Sequence, residues 1–173
     1  MARFPIFVLA VSVIASGCGS DTPSSPASNT QLVKFTAALL ASSEVPPIAG
    51  AESAASGTAA MNFHVAKDST GAITTSTVDF QVTLAGFPAT TSITIAHIHT
   101  GVAGVVGAVL VNTSLAAGEV VLTGGSGSFT RLNMPMTAAD AAAIIANPSR
   151  FYFNVHSAAN PGGVIRGQMV AVP

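Results

Sequence analysis

The chain has no tryptophan, one tyrosine and one cysteine, and only 8% of its 173 residues are charged. Each shortage excludes something. A single thiol cannot close an internal disulfide, so this is not a disulfide-stapled scaffold. Six basic against seven acidic residues leave a net charge of -1. No cationic surface is available to neutralise phosphates, which excludes the main driving force for nucleic-acid binding. Aromatic content of 6% offers no obvious stacking platform for bases or sugars. What is abundant is apolar: 49% hydrophobic residues, much of it Ala and Val, with a mean hydropathy of +0.60. The length suits one domain plus extra segments.

Part of that hydropathy belongs to an N-terminal address. Met1-Ala2-Arg3 gives a short basic start, residues 4–15 an apolar run, and Ala15-Ser16-Gly17-Cys18 a set of small residues before a cut site. That order describes a secretory signal, and the run is shorter than the roughly 20 residues a membrane-spanning helix needs. The segment resembles a bacterial lipoprotein signal, with Ala15 where Leu is usual. The resemblance implies lipidation of Cys18 after removal of residues 1–17. It also implies attachment to the cell envelope, at the outer membrane if the cell is Gram-negative, because Gly19 rather than Asp follows. An ordinary signal peptide would make the protein secreted instead. Residues 18–31 are rich in Ser, Pro, Thr and Asn and read as a flexible tether. The domain proper is expected over residues 32–172.

Beyond the tether, β-branched runs alternate with Gly, Pro and Ser punctuation. Strands are expected over residues 32–41, 57–67, 72–84, 92–99, 108–112, 119–122, 128–132, 150–156 and 164–170. Asp68-Ser69-Thr70-Gly71 turns the second strand into the third. One helix is expected near 138–146: Thr137 caps it, Asp140 favours its first turn, and Asn147-Pro148 stops it. Many short strands and one helix predict an all-β fold, an antiparallel Greek-key-like β-sandwich.

Three of the four histidines fall in apolar, strand-like segments: His97 and His99 in Ala96-His97-Ile98-His99-Thr100-Gly101, and His156 at the end of Phe151-Tyr152-Phe153-Asn154-Val155-His156. Alternation puts His97 and His99 on one face, with α-carbons about 6.5 Å apart. A third imidazole from another strand makes a set that copper or zinc accepts. The pattern also looks like the His-x-His strand of copper/zinc superoxide dismutases. The zinc-site Asp, the extra histidines and the disulfide pair of those enzymes are missing, which argues against a complete dismutase. The alternative is that the imidazoles hydrogen-bond loop backbone, with Asn154 and Ser157 as candidate partners. His64 reads as a solvent-facing residue beside Lys67 and Asp68.

Several motifs recur together in one known family. Glu44-Val45-Pro46-Pro47, Gly57-Thr58-Ala59, the His97-x-His99 segment with Gly101, Gly104 and Gly107, Asn147-Pro148, Tyr152-Phe153-Asn154-Val155-His156 and Pro161-Gly162-Gly163-Val164-Ile165-Arg166-Gly167-Gln168 appear in family order. Over about residues 32–170 the chain resembles the CHRD domain, the module repeated in chordin. Departures are small: Ala108, Ser157 and Val164 stand where Pro, Thr and Glu are common. The resemblance implies a β-rich extracytoplasmic module and no known reaction.

Glu44 and Arg166 are the charges inside those motifs. They read as a ligand carboxylate and an anion-binding guanidinium, or as a charge pair joining the first and last strands, or as hydrogen-bond partners of loop carbonyls. The three glycines at 101, 104 and 107 do not form a dinucleotide fingerprint, and no nucleophile elbow supports serine catalysis. The expected function is therefore a lipid-anchored binding or structural module, partnered by the membrane and an unidentified protein or small ligand. The alternative is a copper or zinc protein using His97, His99 and His156, with redox or metal-trafficking activity.

Overall fold

The computed structural model describes residues 29–173. Cys18, the signal segment and residues 18–28 of the tether lie outside the described residues. Ten strands follow: β1 (Asn29–Leu40), β2 (Ser56–Lys67), β3 (Ile73–Ala85), β4 (Thr90–Thr100), β5 (Val109–Asn112), β6 (Val120–Thr123), β7 (Gly127–Met136), β8 (Phe151–Ser157), β9 (Ile165–Gln168) and β10 (Val170–Val172). One helix, α1 (Ala138–Ala146), separates β7 from β8. The fold is all-β with one short helix, as its alternating runs predict.

Two corrections concern boundaries. β1 starts at Asn29, inside the expected tether, because residues 29–31 continue the ladder onto Lys67, Ala66 and Val65. The last expected strand is two strands, β9 paired to β8 and β10 paired to β1.

The strand pairs are antiparallel and run in the order β5-β4-β8-β9-β1-β2-β3-β7, with β6 also on β4 and β10 on β1. β1, β2, β3 and β7 form one layer, and β4, β8 and β9 with β5 and β6 form the other. They join where Leu40 of β1 pairs with Arg166 of β9. The inner residues of the strands fill the space between: Phe35, Ala37 and Leu39 of β1, Met61 and Phe63 of β2, Val78 and Phe80 of β3, and Ile98, Phe153 and Ile165 of the opposite layer. Phe80 and Phe153 meet across it, ring centroids 5.6 Å apart.

α1 packs on β3 through Ala141 and Ile144. Thr137 caps it: the Asp140 amide donates to Thr137 Oγ1 at 3.1 Å, and that hydroxyl donates to the Asp140 carboxylate. Thr137→Ala is expected to cost about 1 kcal/mol in urea unfolding, the usual value of such a cap. His64 differs from its expected setting. Its Nε2 lies 2.8 Å from Asp79 Oδ2 of β3, and that contact, with the Asn133 amide, offsets burial and holds the Asp79 carboxyl below its usual range.

β8 is unusual in being buried on both faces, every residue from Phe151 to Ser157. Phe151, Phe153 and Val155 face the apolar core. Tyr152, Asn154 and His156 alternate to the outer face, where register sets them beside His99, His97 and Ile95 of β4. Arg166 and Gln168 of β9 extend that face on the far side. Loops at residues 41–55, 101–108 and 158–164 cover it. The domain therefore has a second interior, and that one is polar.

Candidate metal centre

The covering loops are sewn down by the outer-face side chains. His99 Nδ1 donates to the Gly107 carbonyl at 3.0 Å, and the Gly107 amide donates to the Tyr152 hydroxyl at 3.2 Å. Arg166 donates to the Val105 carbonyl at 3.1 Å, and Gln168 to the Gly101 carbonyl at 3.1 Å. His156 Nδ1 donates to the Pro161 carbonyl at 2.9 Å. Ser157 and Asn160 donate to Glu52, a buried carboxylate brought in by the 41–55 loop. The close approach at Gly107 excludes any other residue, since a Cβ there would lie 1.5 Å from the Thr100 carbonyl oxygen.

These bonds determine which ring nitrogens are left. A neutral imidazole that donates from Nδ1 keeps a lone pair on Nε2. His99 and His156 both donate from Nδ1, so both present Nε2. His99 Nε2 lies 3.1 Å from His97 Nδ1. His156 Nε2 is buried and has no hydrogen-bond partner in the protein. The rings of His97 and His156 meet edge to face at 4.8 Å, as do those of His97 and His99 at 5.0 Å. One ring nitrogen from each histidine lies within 4.8 Å of the other two, and the three side chains are at least nine-tenths buried. Two nitrogens bound tetrahedrally to one ion at about 2.0–2.1 Å stand about 3.3 Å apart. The His97–His99 pair is already at that separation. The remaining separations, up to 4.8 Å, would have to shorten by about 1.5 Å for all three nitrogens to share one ion.

Loop anchoring and convergence of nitrogens thus occur together. Two imidazoles hold loop carbonyls through one nitrogen, which is also how metal-bound histidines are oriented by their surroundings, and their other nitrogens converge. Neither expected partner serves: Ser157 binds Glu52, and Asn154 makes no hydrogen bond to the histidines. Asn154 lies between them on the same face, opposite His97 in register.

Tyr152 has no chemistry that marks it in the sequence, yet it organises the site. Its ring stacks on His99 with centroids 4.9 Å apart and 6° between planes, and the Arg166 guanidinium lies 4.7 Å from its centroid. The period-two alternation through Tyr152-x-Asn154-x-His156 is the signal that places it there. Glu52 carries no such signal, because it lies in a loop.

Arg166 and Glu44 form a buried pair, Nε to Oε2 at 2.8 Å. Burial, reinforced by the neighbouring His156 and His99, pushes the His97 pKa down to about 4. Burial also lowers that of His99, against the Gly107 carbonyl, with His156 and Arg166 adding to the lowering. Unfolded histidines titrate near 6.5, so between there and about 4 the unfolded chain binds more protons than the folded one. The histidine contribution to stability of the metal-free protein is therefore expected to fall as pH drops from about 6.5 to about 4, and the carboxylates with lowered pKa, Asp79 among them, add a further loss below that. His97 alone contributes on the order of 3 kcal/mol to that slope. Urea unfolding at pH 7.5, 5.5 and 4 measures it.

The family model of the CHRD domain matches residues 35–169. The chain belongs to the CHRD domain family. No curated protein and no solved structure matches it. In this CHRD domain the match spans β1 through Met169 just after β9, and so includes all three histidines, Glu44, Asn154 and Arg166. Membership supports a binding or structural module.

Proposed function

We propose that this CHRD domain is a cell-envelope binding module whose ligand is a zinc or copper ion held by His97 Nδ1, His99 Nε2 and His156 Nε2. The observation that carries the reading is His156 Nε2, a buried lone pair without a protein partner that faces two further imidazoles. Holding loops accounts for Nδ1 of His99 and of His156, and a hydrogen bond joins His97 Nδ1 to His99 Nε2, but neither accounts for His156 Nε2, and burying one unpaired acceptor costs about 1–3 kcal/mol. Neutral imidazole suits both metals, and the low pKa of His97, about 4, keeps that ligand available well below pH 7.

Calorimetric titration of metal-free protein with Zn(II) and with Cu(II) tests it. One ion per chain is expected. No heat and no retained metal with any of Zn(II), Cu(II) and Cu(I) would sink the reading.

The module is lipid-anchored through Cys18 in this proposal, supported by the lipobox-like start. β1 starts next to the tether and reaches the site row, Leu40-Arg166-Asn154-His97, eleven residues later, about 36 Å along the strand. Palmitate labelling in cells should mark the wild type and not Cys18→Ala, and the variant should leave the membrane fraction. A variant that stays membrane-bound contradicts the anchor.

A further inference from the structure

Two more buried acceptors have no protein donor: Asn154 Oδ1, on the row of His97, and Glu44 Oε1. Glu44 is 4% and Asn154 3% exposed. They face one small space. A methyl group on Gly163 would lie 2.7 Å from Asn154 Nδ2, 2.8 Å from Glu44 Oε1 and 3.1 Å from Asn154 Oδ1. Arg166 donates to Glu44 Oε2 from Nε and to the Val105 carbonyl from Nη1, and to neither of these two oxygens. Asn154 belongs to the same row as His97 and precedes His156 by two residues on β8, so its side chain borders the three imidazoles. Among the described residues no fourth His, Cys, Asp or Glu joins the cluster.

Three imidazoles on a tetrahedral ion leave one position to a non-protein ligand. Two acceptors need a donor that carries two hydrogens. A metal-bound water meets both demands: its oxygen takes the fourth position and its hydrogens go to the neighbouring oxygens. A cavity of about 350 Å³ lies between residues 44–49 and 159–163, with Glu44 and Gly163 in its wall.

We propose that the ion at His97, His99 and His156 carries one exchangeable water, oriented by Asn154 Oδ1 and Glu44 Oε1, in a position that a small monodentate anion can take. This rests on the metal-binding reading above. It makes the centre an open, ligand-accepting site rather than a closed structural one, with Asn154 as a positioning residue.

The full chain loaded with Cu(II) provides the test, after titration has established its stoichiometry. Water-proton relaxation should show one inner-sphere water in fast exchange. Azide should displace it, lowering relaxivity several-fold and giving a charge-transfer band. Asn154→Leu should keep one Cu(II) per chain yet lose most of the inner-sphere relaxivity, and Asn154→Asp, which retains an acceptor, should restore it. Stoichiometric Cu(II) with no inner-sphere water in the wild type overturns the proposal and leaves the metal site standing. The proposal falls equally if azide changes neither signal, or if folded Asn154→Leu relaxes water like the wild type. Failure of the titration itself overturns both. Should Asn154→Leu not fold, the wild-type relaxivity and azide response decide.

Discussion

Replacing His99 by alanine is expected to weaken metal binding by roughly 100-fold or more, beyond what losing one orienting contact around a metal costs. The change removes a ligand nitrogen, the partner of His97 Nδ1 and the donor that holds the Gly107 carbonyl. It also removes the ring on which Tyr152 stacks. Stability of the metal-free protein should also fall, by roughly 2–4 kcal/mol, because two hydrogen bonds and a stacked ring contact are lost. His156→Ala separates the two effects. Its Nδ1 holds only the Pro161 carbonyl while its Nε2 has no protein partner, so metal affinity should fall as for His99→Ala without disturbing the 101–108 loop. Calorimetric titration of both variants, with unfolding curves alongside, checks this. Wild-type affinity in both variants would remove the histidines from the site.

Glu44→Leu is expected to destabilise the domain by about 3–5 kcal/mol, the usual consequence of stripping a partner from a buried ion pair. Arg166 is 4% exposed, and without Glu44 its charge is left among Tyr152, Gly107 and Val105 with a single carbonyl for company. The double variant Glu44→Leu/Arg166→Met should recover much of that loss, because buried pairs replaced by apolar side chains of similar volume often cost little. A double-mutant cycle in urea measures the coupling. Near-additive losses would mean that the two residues act separately, against the 2.8 Å contact between them. Metal affinity in the double variant should also fall, since Arg166 holds Val105 in the loop that carries the Gly107 carbonyl.

Most of the fold is legible as alternation. Ala59, Met61, Phe63 and Val65 on β2, and Val78, Phe80, Val82 and Leu84 on β3, point to the core as the pattern of two requires. The Asp68–Gly71 turn and the Thr137–Asp140 cap are readable because each depends on residues a few positions apart. Residues 29–31 of β1 are not readable, because Asn, Thr and Gln have no strand signal of their own and are held by the β2 ladder. The site is legible in part. His97 and His99 share a face by local geometry alone, and so do Asn154 and His156. That these two faces adjoin depends on the β4–β8 register, where Ile95 meets His156 and His97 meets Asn154.

The sequence by itself therefore determined the strand periodicity, the helix cap, the family and the pairing of His97 with His99 on one face. Those follow from local spacing, which the chain carries wherever it folds. Only the tertiary structure decided that the outer face of β4, β8 and β9 is buried under three loops. It also decided that loop carbonyls take one nitrogen each from His99 and His156, and that His156 Nε2, Asn154 Oδ1 and Glu44 Oε1 are left as acceptors. The physical reason is that hydrogen-bond satisfaction in an interior depends on which backbone arrives there, and that is set by contacts dozens of residues apart.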